Sequence, residues 1–511
     1  MKRYFTSGIG IILFVGLLLR LVDFNRSVWI DEVWYATRFG IPNWEVLGSH
    51  LLLDKSAPFY QITMFFWVRI FGDSEISIRL PSLICGLSSI FLTYRIALES
   101  IGRRVALLAG ILLALSPVHL WYCREASPYA MVVFLSLLSV YAFEKLRDAS
   151  AKSHWYYIYG GSLLCAVFTH WFAGAFLIAF SLLGYFTDKK AKWPIIKLNT
   201  LIGIVLGCFW LFKLKCGVWP TGDSFLRAFT PLEWWLLFSH WFPFANSLWS
   251  KSQPYHLGNI LNDPAWCLSQ VVVMLIFVRG LMTGLRRRKT FGGLDYLLYV
   301  CILPLFLLGL TLRGYSHIYI ERYMLIIVPF YCIIIARGAT HFKTRAVEVI
   351  TITVIVAFSV LTLITFFIKD ARCQWSVYKP NPGWRMATEY FIGQEQIYNA
   401  PGIIFVTSPD EEVTYYSQRL RNAKQPFPDV RIIAAFYLAE NGRELQFIED
   451  TLRQHSANIF YVMDNKHWSL PVLARLLKSI DADKRFHLMQ VEFFKSLRIF
   501  KFYVESNELV V

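Results

Sequence analysis

Charge is scarce in this chain: Asp, Glu, Lys and Arg make up 17% of its 511 residues, against about 25% in a soluble globular protein. A soluble enzyme is excluded on that ground. Low hydrophobicity is lacking too, since 56% of residues are hydrophobic and 17% aromatic, so disorder is excluded. Paired cysteines are absent. The nine cysteines (Cys85, Cys123, Cys165, Cys208, Cys216, Cys267, Cys301, Cys332, Cys373) stand singly with no CxxC, which indicates neither a disulfide framework nor a zinc site. There is no glycine-rich phosphate loop, no internal repeat and no low-complexity tract; the missing repeat argues against a transporter built from inverted halves.

What the chain has is apolar runs of membrane-spanning length. The first, from Ser7 to about Val22, follows Met1-Lys2-Arg3 without a small-residue cleavage site, and so reads as a retained helix and not a signal peptide. Further runs over 79–98, 104–121, 128–145, 155–170, 171–187, 195–214, 266–284, 294–312, 321–337 and 346–369 bring the expected spans to about eleven. Pro58–Gly72 is the ambiguous segment, because its length as a helix is about 22 Å against about 30 Å of hydrocarbon. If it lies in the interface, Arg103-Arg104, Lys145/Arg147/Lys152, Lys189/Lys190/Lys192, Arg286–Lys289 and Lys343/Arg345 all share a side with Lys2-Arg3. The positive-inside rule favours that arrangement and makes the segment an outer juxtamembrane amphipathic helix.

From Asp370 onward basic and acidic residues balance at 17 each, so the whole formal excess of +16 lies earlier. Interspan basic clusters of this kind fit membrane orientation and lipid phosphate, not nucleic acid, which is not expected as a partner. The expected organisation is a polytopic α-helical membrane domain over 1–369 and an extracytoplasmic soluble α/β domain over 370–511, in the plasma (inner) membrane. Strands are expected near 402–407 and 458–463, and helices near 384–396, 410–418 and 440–455. A cap without chemistry and an acceptor-binding module are both open readings of that domain.

Polar chemistry is then sought at the outer ends of the spans. Asp31 and Glu32 follow the first helix among tryptophans, where partial desolvation raises a carboxylate pKa and suits a general base; the plain alternative is that they cap a short helix. Asp54, Lys55 and Tyr60 lie around the start of the juxtamembrane helix, and Lys55 can meet a lipid phosphate or merely snorkel. Arg79, opening the second span, can grip a phosphate through its planar fork. Arg124, Glu125 and Tyr129 occupy a short link, His170 an outer turn, and Glu321-Arg322-Tyr323 enter a late span. Five outer segments thus carry polar groups at one membrane level, which a single cavity explains.

At these residues the chain resembles the superfamily-C membrane glycosyltransferases, in the branch of protein O-mannosyltransferases and lipid A aminoarabinose transferase (family 39-type). The resemblance is carried by Asp31-Glu32, the Asp54-x-Ser-x-Pro-Phe-Tyr60 segment, Arg79-Leu-Pro-Ser82, Tyr122…Glu125-Ala-Ser-Pro-Tyr129, Thr169-His170, Arg322-Tyr323 and Pro382-Gly-Trp-Arg385. One departure is that Ser127 stands where relatives usually have arginine, with Arg124 three positions earlier. The resemblance implies an inverting hexosyltransferase of the cell envelope, acting on protein, lipid or glycan. Asp31 would be the base that activates an acceptor hydroxyl, Glu32 its neighbour, and Lys55, Arg79, Arg322 and Tyr323 the binders of a polyprenyl-phosphate sugar donor. Asp54, Tyr60, Arg124, Glu125, Tyr129 and His170 form a second rank. No obligatory cofactor is expected, although Asp31 and Glu32 are able to ligate Mg²⁺ or Mn²⁺. The rival readings are a transporter or flippase for lipid-linked sugars and a polysaccharide polymerase or ligase.

Overall fold

The computed structural model describes residues 2–40, 44–147, 152–185, 189–218, 228, 264–285, 293–315, 321–368, 383–398, 402–406, 411–423, 430–434, 444–454, 459–465, 477, 478, 480, 483, 485–494 and 497–505. Residues 219–227 and 229–263, the Arg286–Lys289 cluster and Pro382 lie outside the described residues. The chain divides into two compact units: Met1–Phe24, Pro42–Gly72 and Ile76–Lys379 form the first, and Asn25–Ile41, Asp73–Glu75 and Pro380–Val511 the second. Two pieces of the first loop therefore cluster with the C-terminal residues.

The helices begin with α1 (Lys2–Leu21), α2 (Ile30–Gly40), α3 (Trp44–Leu53), α4 (Pro58–Phe71), α5 (Glu75–Ser100), α6 (Arg103–Leu115) and α7 (Pro117–Tyr122). They continue with α8 (Pro128–Leu146), α9 (His154–Thr169), a 3-10 turn (Trp171–Gly174), α10 (Ala175–Tyr185), α11 (Lys189–Lys215), α12 (Pro264–Leu285) and α13 (Gly293–Leu312). A second 3-10 segment (Glu321–Ile327) runs into α14 (Val328–Ala339), followed by α15 (Arg345–Ile368). Over the described residues the expected apolar runs fall mainly on helix, and those starting at Trp171 and Glu321 open with a 3-10 segment. Among the described residues, six helices are long and apolar enough to cross a membrane (Glu75–Ser100, Pro128–Leu146, Lys192–Lys215, Asp295–Leu312, Arg322–Ala339, Arg345–Ile364), beside three shorter apolar ones. These lengths and compositions make an integral membrane protein.

The run over 104–121 is broken between α6 and α7, where Pro117 brings a ring in place of an N–H donor. Buried Arg20 of α1 braces the break: its Nη1 donates to the Ala114 carbonyl (3.2 Å) and its Nη2 lies 2.8 Å from His119 Nδ1. The short helix α4 carries proline at its start and buries Tyr60, Met64, Phe65 and Val68 while Phe66, Ile70 and Phe71 stay exposed.

Helices α12 and α14 cross with their backbones in contact. A Cβ at Gly280 would sit 2.1 Å from the Ile334 carbonyl oxygen, and one at Gly338 would sit 2.0 Å from that of Ile276, so only glycine fits at either position. Arg279, beside this crossing, donates to the carbonyls of Gly338, Thr340 (2.9 Å) and His341 (2.8 Å). It thereby satisfies acceptors that the end of α14 leaves open.

In the second unit α16 (Trp384–Tyr398), α17 (Glu411–Ala423) and α18 (Glu444–Gln454) accompany β1 (Gly402–Val406), β2 (Val430–Ala434), β3 (Ile459–Asn465), β4 (Phe486–Phe494) and β5 (Leu497–Val504). The sheet order is β2-β1-β3-β5-β4, with β1 parallel to β2 and β3, and β5 antiparallel to β3 and β4. The α/β character, both expected strands and all three expected helices are present. Strands β2, β4 and β5 were not foreseen. Ile403, Phe405, Ile448, Leu452, Phe460, Val462, Phe500 and Phe502 form the core between the sheet and α18.

Candidate functional site

Within the first unit, helix ends and turns bring four of the candidate residues, Tyr129, His170, Arg322 and Tyr323, to one place. Tyr129, the second residue of α8, has its ring 4.9 Å from Tyr122, 5.8 Å from His170 and 6.3 Å from Tyr323. His170 lies 4.7 Å from Tyr323, and the Arg322 guanidinium stands 5.7 Å from the centre of the Tyr129 ring. Arg322 and Tyr129 are buried. The sequence sets this up locally: Ser127-Pro128 starts α8 and presents Tyr129, while the 3-10 turn after His170 breaks the helical run. The result is a buried cation over the face of the Tyr129 ring, a setting in which such a contact is strengthened by desolvation.

The neighbouring link is buried from Trp121 to Ser127. Glu125 accepts from the Trp121 indole (3.1 Å), Arg124 faces the Phe367 ring at 5.6 Å, and the Ser82 hydroxyl reaches the Ser127 carbonyl at 3.4 Å. Arg79 is fully buried one turn before Ser82 and donates through Nη1 to the Phe24 carbonyl at 2.8 Å. Part of its donor capacity is thus spent on the backbone just after α1.

Hydrogen bonds hold the Asp54–Lys55 loop. Asp54 accepts from the Ser56 N–H (2.8 Å) and from Gln61 Nε2 (3.1 Å), closing the turn that leads into α4. The Trp171 indole donates to the Lys55 carbonyl at 2.8 Å, and Lys213 donates to the Asp54 carbonyl. The Lys55 side chain itself is exposed, and Tyr60 is buried in α4. Trp171 adjoins His170 in sequence, so the loop carrying Lys55 is tied to the cluster around Tyr129. Sequence reading missed Trp171 and Lys213; a lysine near the end of an apolar span and a tryptophan after Thr-His were the available signals, each too common to single out.

Asp31 and Glu32 lie in the second unit, at the start of α2. Glu32 is fully buried and its Oε2 accepts from the Trp29 N–H at 2.9 Å, the reach-back of a capping box. Its role as helix cap is therefore realised, while Asp31 beside it is half-buried. The same unit fixes the segment carrying both acids. Val28 donates its N–H to the Tyr416 hydroxyl (2.8 Å), and Arg385 donates to the Asn25 carbonyl (3.1 Å). Buried Glu75 receives Arg385 and, at 3.2 Å, Arg419. This network was not foreseen, because it joins residues more than 300 positions apart. Among the described residues no group of three or more His, Cys, Asp or Glu side chains is arranged to hold a metal ion.

Residues 55–213 match the family model of dolichyl-phosphate-mannose-protein mannosyltransferases, so the resemblance read from the motifs appears independently over the stretch that carries Lys55, Arg79, Tyr129 and His170. No curated protein matches the sequence. Among solved structures, ArnT from Cupriavidus metallidurans in the apo state superimposes with a TM-score of 0.59 at 11% identity, over 98% of each chain. The same protein bound to undecaprenyl phosphate gives 0.56 at 13% identity, over 100% of this chain and 99% of that one. The Archaeoglobus fulgidus oligosaccharyltransferase gives 0.52 at 11% identity, over 93% of this chain and 71% of that one. At these identities the likeness is one of fold.

Proposed function

On the premise of that shared fold, we propose that this protein is a glycosyltransferase that moves a sugar from a polyprenyl-phosphate donor to an acceptor hydroxyl on the extracytoplasmic face, with inversion. The observation that carries the reading is the gathering of Arg322, Tyr129, His170 and Tyr323 beside the pinned Lys55 loop. Buried cations against aromatic faces at the ends of membrane helices suit a lipid-borne phosphate with a sugar stacked nearby. That ArnT binds undecaprenyl phosphate in the same fold supports it.

In the proposed reaction Asp31 takes the proton from the acceptor hydroxyl as its oxygen attacks the anomeric carbon from the face opposite the phosphate. The C–O bond to phosphate breaks, and Lys55, Arg79 and Arg322 offset the charge that builds on the departing group. Glu32 holds the helix start that presents Asp31. Three cationic side chains can neutralise a monophosphate leaving group, so the reaction needs no obligatory metal.

The test is sugar transfer in vesicles with a defined polyprenyl-phosphate donor. Asp31→Asn should lower turnover by about 10²–10⁴-fold with the protein still folded and donor binding retained. Near-normal turnover would remove Asp31 as the base, and absence of transfer by the unmodified protein with every lipid-linked donor would reject the reading.

A further inference from the structure

Away from these residues, α10 and α11 enclose a cavity of about 480 Å³, within the range of about 300–1,000 Å³ that ligand pockets occupy. It is open to the surroundings, because Ile178, Leu182 and Tyr185 on its wall are 44–60% exposed. Among the described residues that line it none is acidic. α11 is long and apolar enough to cross a membrane and α10 is a shorter apolar helix, so in a membrane-embedded unit an opening between them faces lipid.

The cavity has a polar floor and a cation beside one wall. Lys192, outside the lining itself, places its ammonium 3.6 Å from the centre of the lining Tyr185 ring and 5.8 Å from that of Trp193. The surrounding sequence, 188–197, holds four lysines and one aspartate. On the floor Tyr159 donates to Asn199 Oδ1 at 2.6 Å, and Asn199 Nδ2 donates to Ser181 Oγ at 3.1 Å. An amide nitrogen carries two hydrogens, so one such bond leaves Asn199 a further donor. Asn199 lies seven residues past Lys192, about 10 Å deeper along α11. A cation, then amide and hydroxyl groups, then a greasy trough repeat in order the phosphate, the glycerol esters and the chain of a phospholipid.

We propose that this groove is a binding site for an acidic glycerophospholipid of the bilayer, its phosphate at Lys192, an ester carbonyl at the second amide hydrogen of Asn199, and its acyl chain against Leu177, Ile178 and Gly203. A zwitterionic lipid fits the trough equally well but gains less from the lysines. The site is independent of the transferase reading and needs only that the chain spans a membrane.

The test places a photo-reactive amino acid at Leu182 in the full chain, reconstituted in vesicles of equal phosphatidylglycerol and phosphatidylcholine, and identifies the captured lipid by mass. Phosphatidylglycerol should be captured about fivefold over phosphatidylcholine, the bias expected of one lysine near a membrane surface. Lys192→Gln should bring the ratio near one. A Cβ at Gly203 meets nothing within 4 Å, so Gly203→Leu fills the trough without clash and should lower capture of both lipids. Equal capture in the unmodified protein, or an unchanged ratio in Lys192→Gln, would overturn the proposal. So would preferential capture of an added polyprenyl phosphate over phosphatidylglycerol.

Discussion

Glu75→Gln isolates the network that fixes the segment carrying Asp31. The carboxylate is nearly buried, and it receives Arg385 and Arg419, whose side chains are 28% and 37% exposed. Removing one member of a buried ion pair costs about 3–5 kcal/mol and of an exposed pair about 0–1 kcal/mol. With both arginines partly open to water and the amide oxygen still able to accept one bond, the expected loss is about 2 kcal/mol. That energy should not spread evenly. Arg385 also holds Asn25, Tyr415 donates to the Asp73 carbonyl, and Tyr416 holds Val28, so local opening of α2, α16 and α17 becomes easier. Amide exchange in peptides covering 25–40, 384–398 and 411–423 should speed up by about thirtyfold, with peptides of α14 unchanged. In the transfer assay kcat should fall while the donor KM stays put. Unchanged exchange in those three peptides, or an increase spread over both units, would refute the reasoning.

Trp171→Phe keeps the ring contacts to Trp210 (5.0 Å) and Phe209 (5.9 Å) but removes the donor to the Lys55 carbonyl. One such bond is worth about 1 kcal/mol, so donor KM should rise about fivefold with little change in kcat; an unchanged KM would detach this loop from the donor. Glu32→Gln retains an acceptor for the Trp29 N–H and should leave turnover near normal, whereas Glu32→Ala should cost about 1 kcal/mol of thermal stability. Equal loss of turnover in both variants, at unchanged stability, would make Glu32 a chemical participant. Gly338→Ala should destabilise the folded protein by at least about 1–3 kcal/mol, read as a lowered melting temperature in detergent. A melt indistinguishable from the unmodified protein would mean that α12 and α14 do not meet as described.

The helical unit was legible because apolar runs of spanning length carry their own signal, and the break between α6 and α7 coincides with a proline the run contained. In the sheet, β1 and β3 stood out as short apolar runs between helical patterns. β5 did not: its charges at Arg498 and Lys501 stand three apart, out of step with a strand's period of two, and Lys501 is buried in spite of its charge, near the Tyr461 ring. For the site, polar residues at span ends were visible one by one, and the structure joins Tyr129, His170, Arg322 and Tyr323 from three separate segments. What sequence could not disclose was the partnership across distance. Glu75 reads as an ordinary helix-start acid until Arg385 and Arg419 arrive from the far end of the chain. Glu32 was a candidate from its place beside Asp31, with capping as the open alternative, and the 2.9 Å bond from the Trp29 N–H shows the capping contact.

The glycine contact between α12 and α14 has a consequence for Arg322. Two rods touching backbone to backbone cannot slide past one another by a fraction of a turn, because each carbonyl is seated where the other's side chain would begin. The 3-10 segment bearing Arg322 is continuous with one of these rods, so the height of that guanidinium is registered against the neighbouring helix some sixteen residues away. Evolution can adjust that height only by re-seating both rods together, and drift at position 280 is therefore expected to be answered at 338.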